Sequence, residues 1–398
     1  MTNKRLNSKT KQVVKILAIF WFAVALSGIF TSIFIWKQTQ NFTPVVVYNL
    51  FFFITLFLVY LLSGYWLRKC CARNLIKLGF IMIAFFYALI VILREKAILL
   101  LIPLGIIKGT GEGLFWSGFN LHQYVHTQKS DRHYYFGVCS FWTNLALVSG
   151  PLLGGLIISV SNNLLKSEFI GYYILFFFSA FVFILAFQQS FKLPKFSEIK
   201  FKISNIKEVI LKKQNFRKVL KQQFLLGLKD VSLITISSIF AFVILSNEFH
   251  LGLYRSIIGL FAGILGFIAG RLLTSKNRLK ISLLSAIVLA IGAIVFAVSQ
   301  DFGTLILYGV CTVLGAFLDI SLGTIYFSVI DQDKRPWQKK YAYFIARDSV
   351  LGLGRIGSYF LLWLSFNFLR QEIVIKAWLA IAGSLSLGIW FIMKKINI

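Results

Sequence analysis

The sequence predicts an all-α polytopic membrane protein with 12 transmembrane helices in two six-helix pseudo-symmetric halves. Three observations predict it. Of 398 residues, 58% are hydrophobic and only 14% charged, far too apolar for a soluble chain of that length. Apolar runs of about 20 residues recur along the chain, the length that crosses a hydrocarbon core about 30 Å thick. Lys and Arg are also sorted between alternate sides of those runs, 31 against 7 of the total of 42. Such a loop-by-loop bias sets membrane orientation.

The first six apolar runs are Val14 to Trp36, Pro44 to Leu67, Leu75 to Leu93, Ala97 to Tyr124, Tyr135 to Val160 and Ile170 to Phe191. The second six are Phe224 to Leu245, Leu251 to Thr274, Ile281 to Val298, Phe302 to Ile330, Tyr341 to Phe366 and Ile373 to Met393. Residues 1–191 and 224–398 are therefore the expected halves, joined by a central loop over 192–223. The basic excess places both termini and that loop in the cytoplasm, and the plasma membrane is the expected location. Ala25-Leu26-Ser27 faintly resembles a cleavage site, but the apolar run continues through Phe34, so a retained first span is expected.

A net charge of +28 would point to nucleic acid in a soluble protein. Here the basic residues lie in short segments between spans, so no nucleic-acid partner is expected. The central loop carries ten basic residues against Glu198 and Glu208. Asn205 and Glu208 have capping-box spacing, and Ile206, Val209, Ile210, Phe216, Val219 and Leu220 recur at helical spacing. A basic amphipathic helix on the anionic inner leaflet is expected, with a solvated linker as the alternative. Cys70, Cys71, Cys139 and Cys311 show neither metal nor disulfide spacing.

Ionisable groups inside spans carry the functional reading, because they are costly there and usually line a pathway or cavity. Eight are found, Lys108, Glu112, Lys229, Asp230, Asp319, Arg347, Asp348 and Arg355, with four charges of each sign. Lys108 and Glu112 share one face of span four, and Trp116 continues that face. Gly105, Gly109 and Gly113 form a small-residue stripe beside it that permits close helix packing. Glu112, Asp319 and Arg355 each fall on the order of 20 Å into their helices, near the midplane.

Glu112 and Asp319 are the candidate proton carriers, since shielding favours a neutral carboxyl and a nearby cation favours the ionised one. The alternatives are a neutralising Lys108–Glu112 pair and a permanent Asp319–Arg355 pair. Arg355 is otherwise a fixed counter-charge for an acidic partner or an anionic substrate group. Lys229, Asp230, Arg347 and Asp348 lie nearer the cytoplasmic mouth and are candidate gating residues. Lys108, Trp116, Phe119, Trp142, Asn144 and Arg355 are the substrate-cavity candidates. The aromatic members could stack on an organic cation or a sugar ring, with plain helix packing as the alternative. His122 and His126 have the spacing of a helical metal pair and His133 follows, but no cysteine or carboxylate cluster completes a site. No metal, cofactor or ATP-binding motif is expected.

The two halves echo each other. Tyr135-Phe136 opens span five and Tyr343-Phe344 opens span eleven, each after a loop with an acid and an arginine, Asp131 with Arg132 and Asp333 with Arg335. With this 6 + 6 plan the chain resembles the major facilitator superfamily over essentially its whole length. Gly150-Pro151-Leu152-Leu153-Gly154-Gly155 is similar to the Gly-Pro-x-x-Gly-Gly core associated with the drug:proton antiporter branch. Phe141 stands where the full motif has its first glycine. Between spans two and three, Gly64, Lys69 and Arg73 fit the superfamily's loop motif, while Arg68 stands where the family has aspartate. Gly266 to Arg271, at the end of span eight, is a similar relic.

The resemblance implies a secondary active transporter that works by alternating access on a small organic solute, not an enzyme. Proton-coupled export of an amphipathic compound is the specific expectation. A lipid or glycolipid flippase on the same scaffold and a metabolite importer are the alternatives. The expected partners are a small-molecule substrate, protons and membrane lipids, and the expected state is a monomer.

Overall fold

The computed structural model describes residues 6–67, 69–126, 132–195, 203–274, 276–333 and 337–396. Arg68, Asp131 and Arg335 lie outside them, as do the side chains of Arg132, His133, Phe136 and Asn205. Every regular element among the described residues is helical. The first six spans contain α1 (Ser8–Thr39), α2 (Phe42–Trp66), α3 (Ala72–Leu93), α4 (Leu101–His126), α5 (Arg132–Leu165) and α6 (Ile170–Ser190). A short α7 (Ile203–Lys212) follows, then α8 (Gln214–Leu245), α9 (Glu248–Leu272), α10 (Arg278–Ser299), α11 (Phe302–Leu314), α12 (Ala316–Asp331), α13 (Trp337–Phe366) and α14 (Gln371–Lys394).

Eleven helical runs among the described residues are long and apolar enough to cross a membrane, and one of them, Ala72–Gln123, is 52 residues long. Straight, it would reach about 78 Å, more than twice the hydrocarbon thickness. It is instead a hairpin. Arg94 adopts a left-handed φ of 50° and opens a 3-10 turn over Arg94–Leu100, after which α4 runs back along α3. A Cβ on Gly79 would sit 2.7 Å from the Gly111 carbonyl, and one on Gly118 would sit 2.5 Å from that of Ala72. Those two pairings run in opposite chain directions, so the run supplies two crossings and the total is twelve.

The same tight reversal recurs. Gln40, Lys166, Ser246 and Gln300 also have φ between 47° and 52°, each just after the end of α1, α5, α8 or α10. A single left-handed residue at the end of a helix satisfies its last carbonyls and turns the chain at once. Span ten departs from the single helix expected over Phe302 to Ile330. It breaks at Gly315, between α11 and α12, where a side chain would meet Leu289 at 2.9 Å.

The chain divides into two compact units. The first comprises residues 1–40, 54–200 and 247–257, and the second 41–53, 201–246 and 258–398. The first unit is built on aromatic packing. Phe20 stacks on Phe115 with ring centres 3.8 Å apart, and Tyr87 lies flat between Phe176 and Phe183 at 5.7 and 5.8 Å. Without a hydrophobic drive between helices in lipid, such shape-matched contacts and small-residue approaches carry the association. Large apolar side chains such as Leu164, Phe177, Phe267 and Val298 point outward, as a lipid-facing surface requires.

In the second unit α7 lies against α13, with Val209 buried and Leu211 exposed. Phe216, at the start of α8, meets Tyr343 edge-on at 4.6 Å. At the other end of the unit, Asn41 and Thr43 accept hydrogen bonds of 2.9 and 2.8 Å from the Gln371 amide.

Candidate functional site

In the first unit, α4 presents Glu112, Trp116 and Asn120 at successive turns, all half-buried, so one helix face borders accessible space. Asn120 donates a 3.0 Å hydrogen bond to the Tyr60 hydroxyl of α2. Lys108, one turn before Glu112, is buried, with its amine 5.3 Å from the centre of the Phe86 ring and 5.9 Å from that of Tyr87. Trp116 stands edge-on to Phe20 and Trp21 at 5.2 and 5.9 Å. Phe119 is only 1% exposed and stacks on Phe115, which puts it in the packed interior and not on a cavity wall. Close approach of α3 uses Gly111 and Gly118, while Gly113 faces Val59 of α2 at 2.9 Å.

The Gly150 to Gly155 segment works as two surfaces. Gly150 and Gly154 face α1, where a Cβ would strike Ala25 and the Leu26 carbonyl. Gly155 faces the Glu248 carbonyl at the start of α9, and Gly252 of α9 in turn faces the Pro151 carbonyl. Pro151 sits inside α5 and lacks the amide that would otherwise bond back along the helix. Ser256 closes the contact by donating to the Val148 carbonyl at 2.5 Å. Further along α5, Trp142 is 43% exposed on the wall of a cavity, while Asn144 donates to Ser140 within the helix at 3.2 Å.

Beside this glycine contact lies a charged cluster absent from the sequence-based candidates. Glu248, buried in the first turn of α9, accepts from Lys37 at 2.9 Å and from the Tyr172 hydroxyl at 3.0 Å. A carboxylate is favoured at a helix N-terminus by the partial positive charge of the unbonded amides. The Lys37 amine also lies 5.7 Å from the centres of the Phe169 and Tyr172 rings. The available signal was scarcity, since Glu248 is one of only 14 acidic residues in the chain.

In the second unit, Arg355 of α13 donates to Asp230 of α8 at 3.0 Å, and its guanidinium lies 5.4 Å from the centre of the Phe53 ring. Tyr359, one turn on, stacks on Phe53 at 5.6 Å and shares a 2.8 Å hydrogen bond with Thr235. Glycines set this geometry. Gly227 and Gly354 bring the two helices so close that a Cβ on Gly227 would fall 3.0 Å from the Gly354 Cα. Arg355 therefore binds Asp230 and not Asp319, the partner considered from depth alone. Asp319 lies in the first turn of α12, just past the break at Gly315, and is exposed. Its helix α12 packs against α8, which carries the buried Lys229 and, next to it, Asp230. Arg347 pairs with its chain neighbour Asp348 at 2.6 Å and lies 4.7 Å over the Tyr326 ring.

His122 is buried and stacks on His126, with ring centres 5.6 Å apart. Among the described residues no group of three His, Cys, Asp or Glu side chains could hold a metal ion.

The sequence matches the family model "Major Facilitator Superfamily" over residues 16–358. The uncharacterized protein YqgE of Bacillus subtilis (strain 168) is 26% identical over 382 residues, covering 95% of this chain and 87% of that protein. Among solved structures, the nucleoside transporter NupG aligns over 98% of this chain and 100% of its own, at a TM-score of 0.73 and 12% identity. The human organic anion transporter MFSD10 aligns over 97% and 98%, at a TM-score of 0.66 and 15% identity. Likeness at such identities shows the fold. Together with twelve crossings and charged side chains kept within the spans, the family match shows that the chain is an integral, multi-pass membrane protein of transporter type, belonging to the Major Facilitator Superfamily.

Proposed function

We propose that the protein is a secondary active transporter of a small organic solute, that it exports an amphipathic compound, and that it couples this to protons. The observation that carries the coupling is Asp319. It is a carboxyl residue at the depth of a span, just past a helix break, on a helix that packs against the one carrying Lys229 and Asp230. At that depth the charge of a carboxyl group depends on its charged neighbours, which is what coupling demands. Glu112, half-buried one turn from Lys108, is the corresponding carboxylate of the first unit.

In this reading Lys108 is the fixed counter-charge of the first unit, where Trp116, Trp142 and Asn144 border the solute, and Arg355 is the fixed counter-charge of the second unit. The Arg347–Asp348 pair, together with Lys229 and Asp230, supplies the gating charges whose exchange of partners accompanies alternating access. Transporters of nucleosides and organic anions and a bacterial homologue of an iron transporter share this fold, so support for an organic solute comes from the aromatic side chains Trp116 and Trp142. The excess of basic residues on one side supports cytoplasmic termini in a plasma membrane, and a monomer bounded by lipid suffices for the mechanism.

The test is a solute panel applied to proteoliposomes with a trapped pH indicator. A transported compound should move protons in wild-type vesicles, and Asp319→Asn or Glu112→Gln should abolish gradient-driven flux while leaving the protein folded. Flux that keeps its full dependence on the pH gradient in both variants would reject proton coupling.

A further inference from the structure

The first unit holds a cavity of about 750 Å³ between the beginnings of α1 and α5. Its walls have an order. Lys11 and Lys15 stand one turn apart on α1, both exposed, and the same face continues inward as Ala18 and Ile19. Val14 of α1, and Val138 and Trp142 of α5, complete an apolar wall around that inner part. Among the described residues the lining holds no carboxylate, and neither lysine takes part in an ion pair.

A space of a few hundred cubic ångströms, mostly apolar with a few convergent polar groups, has the character of a small-molecule site. Two ammonium groups a turn apart repel each other and repel any cation, so an anionic group between them relieves the repulsion. The tryptophan offers a flat apolar surface deeper in. The charge pattern thus argues against the organic cation considered for Trp142 from sequence.

We infer that this cavity binds a small amphipathic organic anion, a carboxylate or sulfonate on an apolar or aromatic body. The anionic group lies between Lys11 and Lys15, and the body lies against Ala18, Ile19 and Trp142. The assignment rests on the transporter reading only for the ligand's onward route, because binding itself needs no gradient.

The experiment is equilibrium binding of radiolabelled 1-naphthalenesulfonate to the full chain in phosphatidylcholine nanodiscs. Saturable binding at one site per chain is expected, displaced by unlabelled 1-naphthoate and not by 1-naphthylmethylammonium, and weakened by added salt. Lys11→Gln combined with Lys15→Gln should raise Kd about tenfold or more, whereas Lys→Arg at both positions should retain binding. Trp142→Ala should weaken binding and Trp142→Phe preserve it. If the glutamine variant misfolds, the arginine and Trp142 variants decide the matter.

Displacement by the ammonium compound, or unchanged affinity in a folded glutamine variant, would overturn the assignment. So would loss of binding in phosphatidylglycerol nanodiscs, which would make the occupant an inner-leaflet lipid. Binding that persists without any detectable transport would instead remove the transporter reading and leave the site intact.

Discussion

Lys37 and Glu248 are 211 positions apart in the chain, yet their amine and carboxylate meet at 2.9 Å inside the first unit. Their side chains are 19% and 8% exposed, so neither charge is well hydrated. Removing one member of a buried pair costs more than the pair contributes, because the survivor stays desolvated without a counter-charge.

Glu248→Ala should therefore destabilise the protein by about 3 kcal/mol. Replacing both residues by methionine should recover most of that loss. Thermal unfolding of the purified variants in detergent measures both effects, and a double variant as unstable as the single one would show that the loss comes from the Tyr172 bond instead.

Exchanging Asp230 and Arg355 tests a second charge pair joining two helices. Asp230→Asn alone should cost about 2 kcal/mol, a value reduced from the fully buried case because the side chains are 32% and 23% exposed. Asp230→Arg with Arg355→Asp should be more stable than either single charge reversal. Equal stability of the double and single reversals would mean that the two groups do not interact.

Gly354→Leu should be far more damaging than its modest chemistry suggests. Its Cβ would press on the Phe224 carbonyl, which is main chain and cannot rotate away. Overpacking of this kind costs about 1–3 kcal/mol or more. Gly270→Leu is the control, since among the described residues no packing neighbour lies within 4 Å of a Cβ there. Expression level and monodispersity after solubilisation should separate the two variants.

His126, just beyond the end of span four, has its pKa held below the ordinary imidazole value, first by burial and then by the positive charge of Lys9. The unfolded chain therefore takes up this proton more readily than the folded one. The sign follows: His126's contribution to stability is fully present above the unfolded value of about 6.5 and is lost as the pH falls through it toward the folded value. Thermal midpoints should drop on acidification across that window, and His126→Gln should flatten the drop.

The spans were legible because hydropathy is a local property, and so were the in-span charges that set Asp230, Asp319 and Arg355 apart. Which of them pair was not. Depth along each helix pointed Arg355 to Asp319 and set Asp230 nearer the cytoplasmic mouth, whereas the pairing is decided by helix adjacency, fixed by Gly227 meeting Gly354. The break at Gly315 escaped detection since a lone glycine in an apolar run is usually tolerated. Lys37 looked like one more loop lysine until Glu248 came to lie beside it. Even the Gly150 to Gly155 motif disclosed only that something packs closely there, and not that its neighbour is the beginning of α9.

That neighbour has a genetic consequence. Residues 247–257 belong to the first unit and residues 41–53 to the second, so neither sequence half encodes a complete unit. A gene cut within 192–223 would yield two polypeptides, each missing a piece that the other carries. Made alone, each should be degraded; made together, they should rescue one another and copurify.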